Sequence, residues 1–190
     1  MDERNHPDER NHPPLISIVG YSGAGKTTLM EKLIGELTHR NYRVGSIKHD
    51  VHGFEMDKPG KDSWRHKQAG ACTTLISSPY QIGMVTDVDR DHTPDELRKF
   101  FNNIDVILTE GYKKQRRPKV EIFRSEIHDE PLCSNDDNVI AIMSDIPIDL
   151  KVRRFALEGI TDLVDFLVEK FELDHDSQTN SPAQACAGNA

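Results

Sequence analysis

The stretch that most constrains the fold is a glycine-rich loop near the amino terminus, G-Y-S-G-A-G-K-T at residues 20–27. It fits G-x-x-x-x-G-K-[ST], the phosphate-binding P-loop, at every fixed position. A β-branched apolar run at residues 15–19 precedes the loop and predicts a buried strand. Residues 29–37 follow it with a leucine at every fourth position, which predicts an amphipathic helix. Strand, loop and helix therefore come in the order that nucleotide binding requires.

The residue types of this loop suit phosphate chemistry. Glycines let backbone N–H groups approach phosphate oxygens without a Cβ in the way. The amino terminus of the following helix adds unpaired N–H donors and a partial positive charge. Lys26 is predicted to reach the β- and γ-phosphates, and the Thr27 hydroxyl to ligate Mg²⁺. The loop predicts a nucleoside triphosphate but does not specify the base.

Polar residues end two further predicted strands. Residues 42–48 predict one strand, which ends in Lys48 and is followed closely by Asp50, and residues 104–112 contain an apolar strand that ends in Glu110. Ligands of open parallel sheets lie beyond the carboxyl ends of the strands. We therefore predict that Glu110 binds Mg²⁺ or polarises the nucleophile, that Lys48 contacts a phosphate and that Asp50 orients a water.

A basic loop and a later strand provide two more candidates. Five cations lie between Lys113 and Lys119, and we expect this loop to hold a phosphorylated ligand or an acidic partner. Residues 139–143 predict another buried strand, and Asp145 follows it. A carboxylate at that place can accept N1–H and N2–H₂ of guanine, so Asp145 is predicted to read the base. The guanine signature N-K-x-D is absent from the sequence.

The remaining pattern completes an α/β fold: a P-loop arrangement with a mainly parallel sheet, flanking helices and a short hairpin. The other predicted elements are a helix with Asp62 as its N-cap, a hairpin over residues 71–86, a helix from Thr93 to about Asn102, a strand at 120–123 and an amphipathic helix at 160–171.

The two ends of the chain differ from its middle. The hexapeptide D-E-R-N-H-P occurs twice in residues 2–13. We predict a disordered leader at 1–13, one folded domain at 14–172 and a disordered polar tail at 173–190. Removing residues 1–13 and 171–190 leaves 22 basic against 25 acidic residues, so the domain gives no general case for binding nucleic acid or a membrane. With no signal peptide and no long apolar run, we expect a cytoplasmic protein.

Two other functional classes stay open on these residues. His49, His52 and His66 suggest a metallochaperone-type GTPase, although their spacing fits no known metal-ligand pattern. A small-molecule kinase would use the basic loop as a phosphate clamp and Glu110 or Asp50 as a base, and it would also need a lid and an acceptor pocket. The three cysteines are isolated, so no C-x-x-C zinc or redox motif is present.

Taken in order, the motifs resemble those of the molybdopterin-guanine dinucleotide biosynthesis adaptor proteins, the MobB family. The resemblance covers residues 14–172. It is carried by the P-loop, Lys48-His49-Asp50, residues 60–66 with Ala69-Gly70-Ala71, residues 109–113, and residues 118–121 with Arg124. The P-loop alone is shared by very many proteins, whereas this ordered set is much more specific.

The resemblance implies a GTP-binding protein, usually a homodimer, that hydrolyses GTP slowly and assists the guanylyltransferase MobA in attaching GMP to molybdopterin. By position, Glu110 would be the Walker B acid, while Asp50 and Lys48 would face the γ-phosphate. The phosphates and Mg²⁺ would be held by Gly20, Ser22, Gly23, Ala24, Gly25, Lys26, Thr27 and Thr28. The pterin phosphate or the partner would meet Arg65, His66 and Lys113.

Overall fold

The computed structural model describes residues 12–173. Its helices and strands are, in chain order, β1 (Leu15–Val19), α1 (Lys26–His39), β2 (Val44–Lys48), α2 (Asp62–Gln68), β3 (Thr73–Ser77), β4 (Ile82–Thr86), α3 (Pro94–Leu97), β5 (Val106–Glu110), β6 (Lys119–Phe123), β7 (Val139–Ser144), β8 (Arg153–Phe155) and α4 (Ile160–Phe171). Within the described part, no helix combines the length and the hydropathy needed to span a membrane.

The described residues separate into two compact units. Residues 12–49 and 93–173 form the larger unit, which carries the P-loop, and residues 50–92 form the smaller one. Nearly all of the predicted leader and tail lies outside the described residues, so the predicted domain boundaries stay predictions.

The larger unit is built on a six-stranded sheet in the order β2-β5-β1-β6-β7-β8. All of its strand pairs are parallel. This confirms the prediction of a mainly parallel sheet flanked by helices. Because parallel strands share a direction, the residues that follow β1, β2, β5, β6 and β7 all lie along one edge of the sheet.

Helices α1 and α4 pack against each other on one face of this sheet. The three leucines predicted to form the apolar face of α1, Leu29, Leu33 and Leu37, are all buried. Leu163 and Leu167 of α4 are buried in the same core. Since burying a leucine side chain contributes about 1.5–3 kcal/mol, these five residues fix both helices on the sheet behind the P-loop.

The helix predicted from Thr93 to about Asn102 is shorter than expected. Its start is confirmed: the Thr93 hydroxyl accepts the Glu96 N–H in a capping box. The α-helix ends at Leu97, however, and continues only as a single 3₁₀ turn, Arg98–Phe100. Phe101 then leaves the helical path and packs against Gly45 of β2, where a Cβ would lie only 2.5 Å from the phenyl ring. Tertiary packing thus overrides local helix preference.

The smaller unit contains α2 and the predicted hairpin, in which β3 and β4 pair antiparallel. The predicted N-cap of α2 is wrong by one residue. Lys61 has the extended backbone that an N-cap adopts, while Asp62 is already helical and its carboxylate lies 3.8 Å from the Arg65 guanidinium. Lys67 of α2 forms an ion pair of 2.6 Å with Asp87, which joins the helix to the end of the hairpin.

Candidate functional site

The P-loop connects β1 to α1 and is tightly packed against β6. Gly20 has φ +149°, and a Cβ there would lie 2.4 Å from the carbonyl oxygen of Ile122. Gly25 has φ +99°, in the left-handed region, immediately before α1 begins. Only glycine meets both requirements without strain. The first glycine permits the close approach of β6, and the last one turns the chain into the helix.

The Lys26 ammonium lies across the mouth of this loop. It donates hydrogen bonds to the carbonyl oxygens of Gly20, at 3.1 Å, and Tyr21, at 2.8 Å. Burial lowers the pKa of Lys26 below its usual value; Glu110 acts in the opposite direction, and the positive charge of Lys113 lowers it further. A cation is therefore held at the loop with a carboxylate and a second cation nearby.

Thr27 and Glu110, the two residues predicted to bind Mg²⁺, are in contact. The Thr27 hydroxyl donates to both carboxylate oxygens of Glu110, at 3.0 and 3.2 Å, although the residues are 83 positions apart in sequence. Glu110 ends β5, which pairs directly with β1. A hydroxyl and a carboxylate are the oxygen ligands that Mg²⁺ takes from proteins, beside its waters, so this pair fits the ion.

The chain makes a strained turn directly after Glu110. Gly111 and Tyr112 both have positive φ, +104° and +56°. The left-handed conformation costs a non-glycine residue about 1–2 kcal/mol. The buried Tyr112 ring stacks on His49 with centroids 4.2 Å apart, and the His49 N–H donates to the Glu110 carbonyl oxygen. These contacts hold the turn and fix the path of the chain from Glu110 to Lys113.

Lys48 belongs to the same edge of the sheet. It is the last residue of β2 and pairs in register with Glu110. Its side chain is exposed. The predicted contact of Lys48 with a phosphate stays a prediction.

The basic loop divides into structural and exposed cations. Lys119 is buried and paired with Asp136, and Arg117 forms an ion pair of 2.8 Å with Asp95. The other three, Lys113, Lys114 and Arg116, are exposed. We therefore expect only these three residues of the loop to bind an anion.

Three predicted residues belong to the smaller unit. Asp50 is exposed and accepts a hydrogen bond from the His52 N–H at 2.9 Å. Arg65 and His66 are exposed on α2. Their proposed contacts with phosphate, pterin or partner stay predictions. Among residues 12–173 there is no group of three or more His, Cys, Asp or Glu side chains arranged to hold a metal ion.

Asp145 follows β7 at the expected edge of the sheet, and its carboxylate is engaged by a neighbouring segment. It accepts the Ser125 N–H at 3.0 and 3.2 Å and the Ser125 hydroxyl at 2.9 Å. The backbone hydrogen bond from Ser125 is the main reason why the pKa of Asp145 lies below its usual value. Its reading of the guanine base stays a prediction.

Arg124 is the residue of this site to which the sequence analysis gave no role. It directly follows β6, and its Nε donates to the carbonyl oxygen of Ala24, in the P-loop, at 3.1 Å. The available signal was its place at a strand end, like that of Glu110. The end of a strand lies at this site only if the strand is next to β1. The structure shows that β6 pairs with β1.

The family model of the molybdopterin guanine dinucleotide synthesis protein B, MobB, matches residues 15–145 of this sequence. The chain belongs to the MobB family. A molybdopterin-guanine dinucleotide biosynthesis adapter protein of Haemophilus influenzae is 37% identical over 159 residues, which cover 83% of this chain and 89% of the relative. The Escherichia coli protein of the same name is 37% identical over 166 residues, covering 82% and 92%. The family resemblance seen in the sequence is thereby confirmed.

Solved MobB structures have the same fold. The crystal structure of Bacillus subtilis MobB matches with a TM-score of 0.68 and 27% identity, covering 83% of this chain and 98% of that one. A MobB homolog from Bacillus stearothermophilus matches with a TM-score of 0.62 and 23% identity, covering 84% and 99%. The P-loop NTPase-like fold class predicted from the sequence is confirmed by these MobB neighbours.

Proposed function

We propose that this MobB-family chain is an adapter of molybdopterin-guanine dinucleotide biosynthesis that binds GTP with Mg²⁺ and assists a MobA-type guanylyltransferase in the cytoplasm. The names of its relatives support the adapter role. The observation that carries nucleotide binding is the convergence of Lys26, Thr27 and Glu110 at one edge of the sheet.

Each of these residues has a distinct task in the proposal. Lys26 supplies positive charge to the β- and γ-phosphates from the position where it now bridges the loop. The Thr27 hydroxyl and the Glu110 carboxylate hold Mg²⁺, which when bound neutralises charge on the β- and γ-phosphates. Lys48 is proposed to contact the γ-phosphate and Asp50 to orient a water, which are the roles that the resemblance and the sequence imply.

We propose that hydrolysis of GTP is slow. Fast phosphoryl transfer needs a positioned water and an added cation that stabilises the transition-state charge. Among residues 12–173 we assign no arginine as that cation. Glu110→Gln is expected to reduce hydrolysis far more than Mg²⁺-free binding of GDP, because it removes charge from the metal ligand but keeps its shape. Equal loss of both would indicate misfolding and count against this role.

The three exposed cations of the basic loop are proposed to bind the phosphate of molybdopterin. Lys113 lowers the pKa of Lys26, after the larger effect of burial, so Lys113 lies near the P-loop lysine; Lys114 and Arg116 belong to the same loop. Replacing Lys113, Lys114 and Arg116 together with alanine is expected to weaken molybdopterin binding by at least about tenfold, because three contacts to its phosphate are lost. GTP binding should stay within about threefold, because these exposed charges only border the nucleotide. Unchanged molybdopterin binding would contradict the assignment.

We also propose that the chain forms a homodimer. Every residue of β3 and β4 is at least partly exposed, including Leu75 (56%), Ile76 (52%) and Ile82 (70%). A two-stranded hairpin is marginally stable unless a further strand or another surface covers it. A second copy of the chain would supply that cover. Light scattering after gel filtration is expected to give twice the 21.6 kDa chain mass; Ile82→Glu should shift it toward the monomer, and a monomeric wild type would refute the proposal.

Lys26→Ala tests the nucleotide-binding proposal, with Lys32→Ala as its matched control. Both substitutions remove one lysine from α1, but Lys32 is exposed on the helix surface away from the loop. Calorimetric titration with Mg·GTP is expected to show at least about thirtyfold weaker binding for Lys26→Ala, since charged hydrogen bonds contribute about 1.5–3 kcal/mol each. Lys32→Ala should bind like wild type. Equal affinity of both variants would refute the P-loop assignment.

A further inference from the structure

A short turn after β6 holds the P-loop from the side that faces away from β5. The backbone N–H groups of Ile127 and His128 both donate to the Arg124 carbonyl oxygen, at 3.0 and 3.3 Å. Residues 124–128 therefore form one compact turn, which we call the clip. The clip lies at the carboxyl end of β6, and β6 pairs with β1, the strand that leads into the P-loop.

The clip contacts the P-loop at two points. The Arg124 Nε donates to the Ala24 carbonyl oxygen at 3.1 Å, and the guanidinium lies 3.8 Å from where a Cβ of Gly25 would be. The imidazole of His128 stacks on the Tyr21 ring with centroids 3.3 Å apart. Tyr21 and Ala24 lie inside the loop, between Gly20 and Gly25, where the backbone belongs to no helix or strand.

Asp145 anchors the clip to the sheet. Both its carboxylate oxygens accept the Ser125 N–H, and one also accepts the Ser125 hydroxyl. Ser125 lies inside the clip, directly after Arg124, and Asp145 directly follows β7, the neighbour of β6. A continuous chain of contacts therefore runs from β7 through Asp145, Ser125 and Arg124 to the P-loop.

We propose that the clip keeps the P-loop in the conformation that binds a polyphosphate, with Arg124 as a positioning residue and Asp145 as the anchor of the clip. The inference rests on the proposed function, because it concerns the phosphates of the proposed nucleotide. A glycine-rich loop loses much backbone freedom when it is ordered, and a loop that is ordered in advance binds more tightly because that cost is already met. The effect should concern the phosphate chain and not the base.

This inference separates two tasks for Asp145. As an anchor, Asp145 affects every ligand that uses the P-loop, including inorganic tripolyphosphate, which has no base. As a guanine reader, it affects GTP and leaves tripolyphosphate unchanged. The two tasks therefore predict different results for the same substitution.

The test is a calorimetric titration of Arg124→Ala, Asp145→Ala and the double variant with Mg·GTP, Mg·ATP and magnesium tripolyphosphate. Each single variant is expected to weaken all three ligands by the same factor, about tenfold, as the loss of one charge-assisted hydrogen bond implies. The double variant should be no weaker than the weaker single variant, because both changes break one chain of contacts. Thermal unfolding without ligand should stay cooperative in each single variant, with a Tm about 3–12 °C below wild type, as the loss of about 1.5–3 kcal/mol implies.

Arg43→Ala is the matched control for Arg124→Ala. Arg43 is paired with Asp105 at 3.0 Å, just before β2 and β5 begin and therefore at the opposite edge of the sheet. Its removal changes the net charge equally and should leave all three affinities unchanged. Ser125→Ala, which removes only the exposed hydroxyl donor to Asp145, should weaken the three ligands by about threefold and perturb the fold least.

Several results would overturn the inference. Wild-type affinity of Arg124→Ala or Ser125→Ala would show that the clip does not position the loop. Additive losses in the double variant would show that Arg124 and Asp145 act separately, and a loss confined to GTP in Asp145→Ala would make Asp145 a base reader. If wild type itself bound neither GTP nor ATP, the proposed function would fail instead, so the two failures are distinguishable.

Discussion

Replacing Gly20 with alanine should open the junction between β1 and β6. The new Cβ would lie 2.4 Å from the Ile122 carbonyl oxygen and 3.2 Å from its Cγ2, while Cβ atoms essentially never come closer than 3.0 Å to a neighbouring heavy atom. The backbone must therefore move by at least 0.6 Å. Ile122 cannot yield easily, since β6 is held between β1 and β7 in the middle of the sheet.

Two costs add for Gly20→Ala. Overpacking in a rigid region costs about 1–3 kcal/mol, and a left-handed φ costs a residue with a Cβ about 1–2 kcal/mol. The sum is about 2–5 kcal/mol of unfolding free energy. For a chain of this size, that corresponds to a fall in Tm of about 4–20 °C. Thermal unfolding followed by circular dichroism measures it.

Gly23→Ala is the matched control in the same loop. Gly23 also has a positive φ, +82°, but among the described residues no heavy atom lies within 4 Å of its prospective Cβ. The unfolding free energy of this variant should fall only by the conformational cost of about 1–2 kcal/mol. A fall in Tm for Gly20→Ala no larger than that for Gly23→Ala would refute the argument from the contact with Ile122.

Three further predictions concern stability and reactivity. Gly35→Ala should raise the unfolding free energy in urea by about 0.5–1 kcal/mol, because Gly35 is exposed inside α1. Burial raises the pKa of the Cys133 thiol to about 11, so iodoacetamide at pH 8 should spare it and modify the exposed Cys72, as read by mass spectrometry. Asp136→Asn should cost about 3 kcal/mol at pH 7 in the same urea assay, because it leaves the buried Lys119 ammonium unpaired. Partial burial raises the pKa of Asp136, but the hydrogen bonds it accepts outweigh burial and hold that pKa below its usual value. The advantage of wild type over Asp136→Asn is therefore complete above about pH 4 and is lost as the pH falls through the folded-state pKa.

Each of these has a contradicting result. A loss of stability in Gly35→Ala would mean that the exposed glycine has a role in α1 that the structure does not explain. Modification of Cys133 at the rate of Cys72 in the folded protein would contradict its burial. A stability difference between wild type and Asp136→Asn that persisted unchanged at pH 2 would show that the Lys119 pair is not its source.

The sequence predicted the elements of the site better than their arrangement. The P-loop could be recognised because its chemistry fixes residue types at fixed spacings, and Glu110 because an acid ends an apolar strand. The order of the strands is not encoded in any local pattern. Without the knowledge that β6 lies between β1 and β7, neither the role of Arg124 nor the contact between Asp145 and Ser125 could be inferred.

The elements that were missed or misplaced depend on tertiary contacts. Strand β8 was not predicted because two of its three residues are arginines, and its place depends on tertiary contacts. The buried Phe155 packs near Phe166, and the Arg153 guanidinium lies over both rings, 5.2 and 5.6 Å from their centroids. The early end of α3 likewise depends on Gly45, a distant residue whose missing side chain admits Phe101.

The most direct test of the central claim is a calorimetric titration of the wild-type chain with GTP and with ATP, each with Mg²⁺. A guanine-linked adapter is expected to bind Mg·GTP at least about tenfold more tightly than Mg·ATP, because a site that pairs with the guanine edge leaves buried polar groups unpaired when adenine enters. Equal or tighter binding of Mg·ATP would contradict the account.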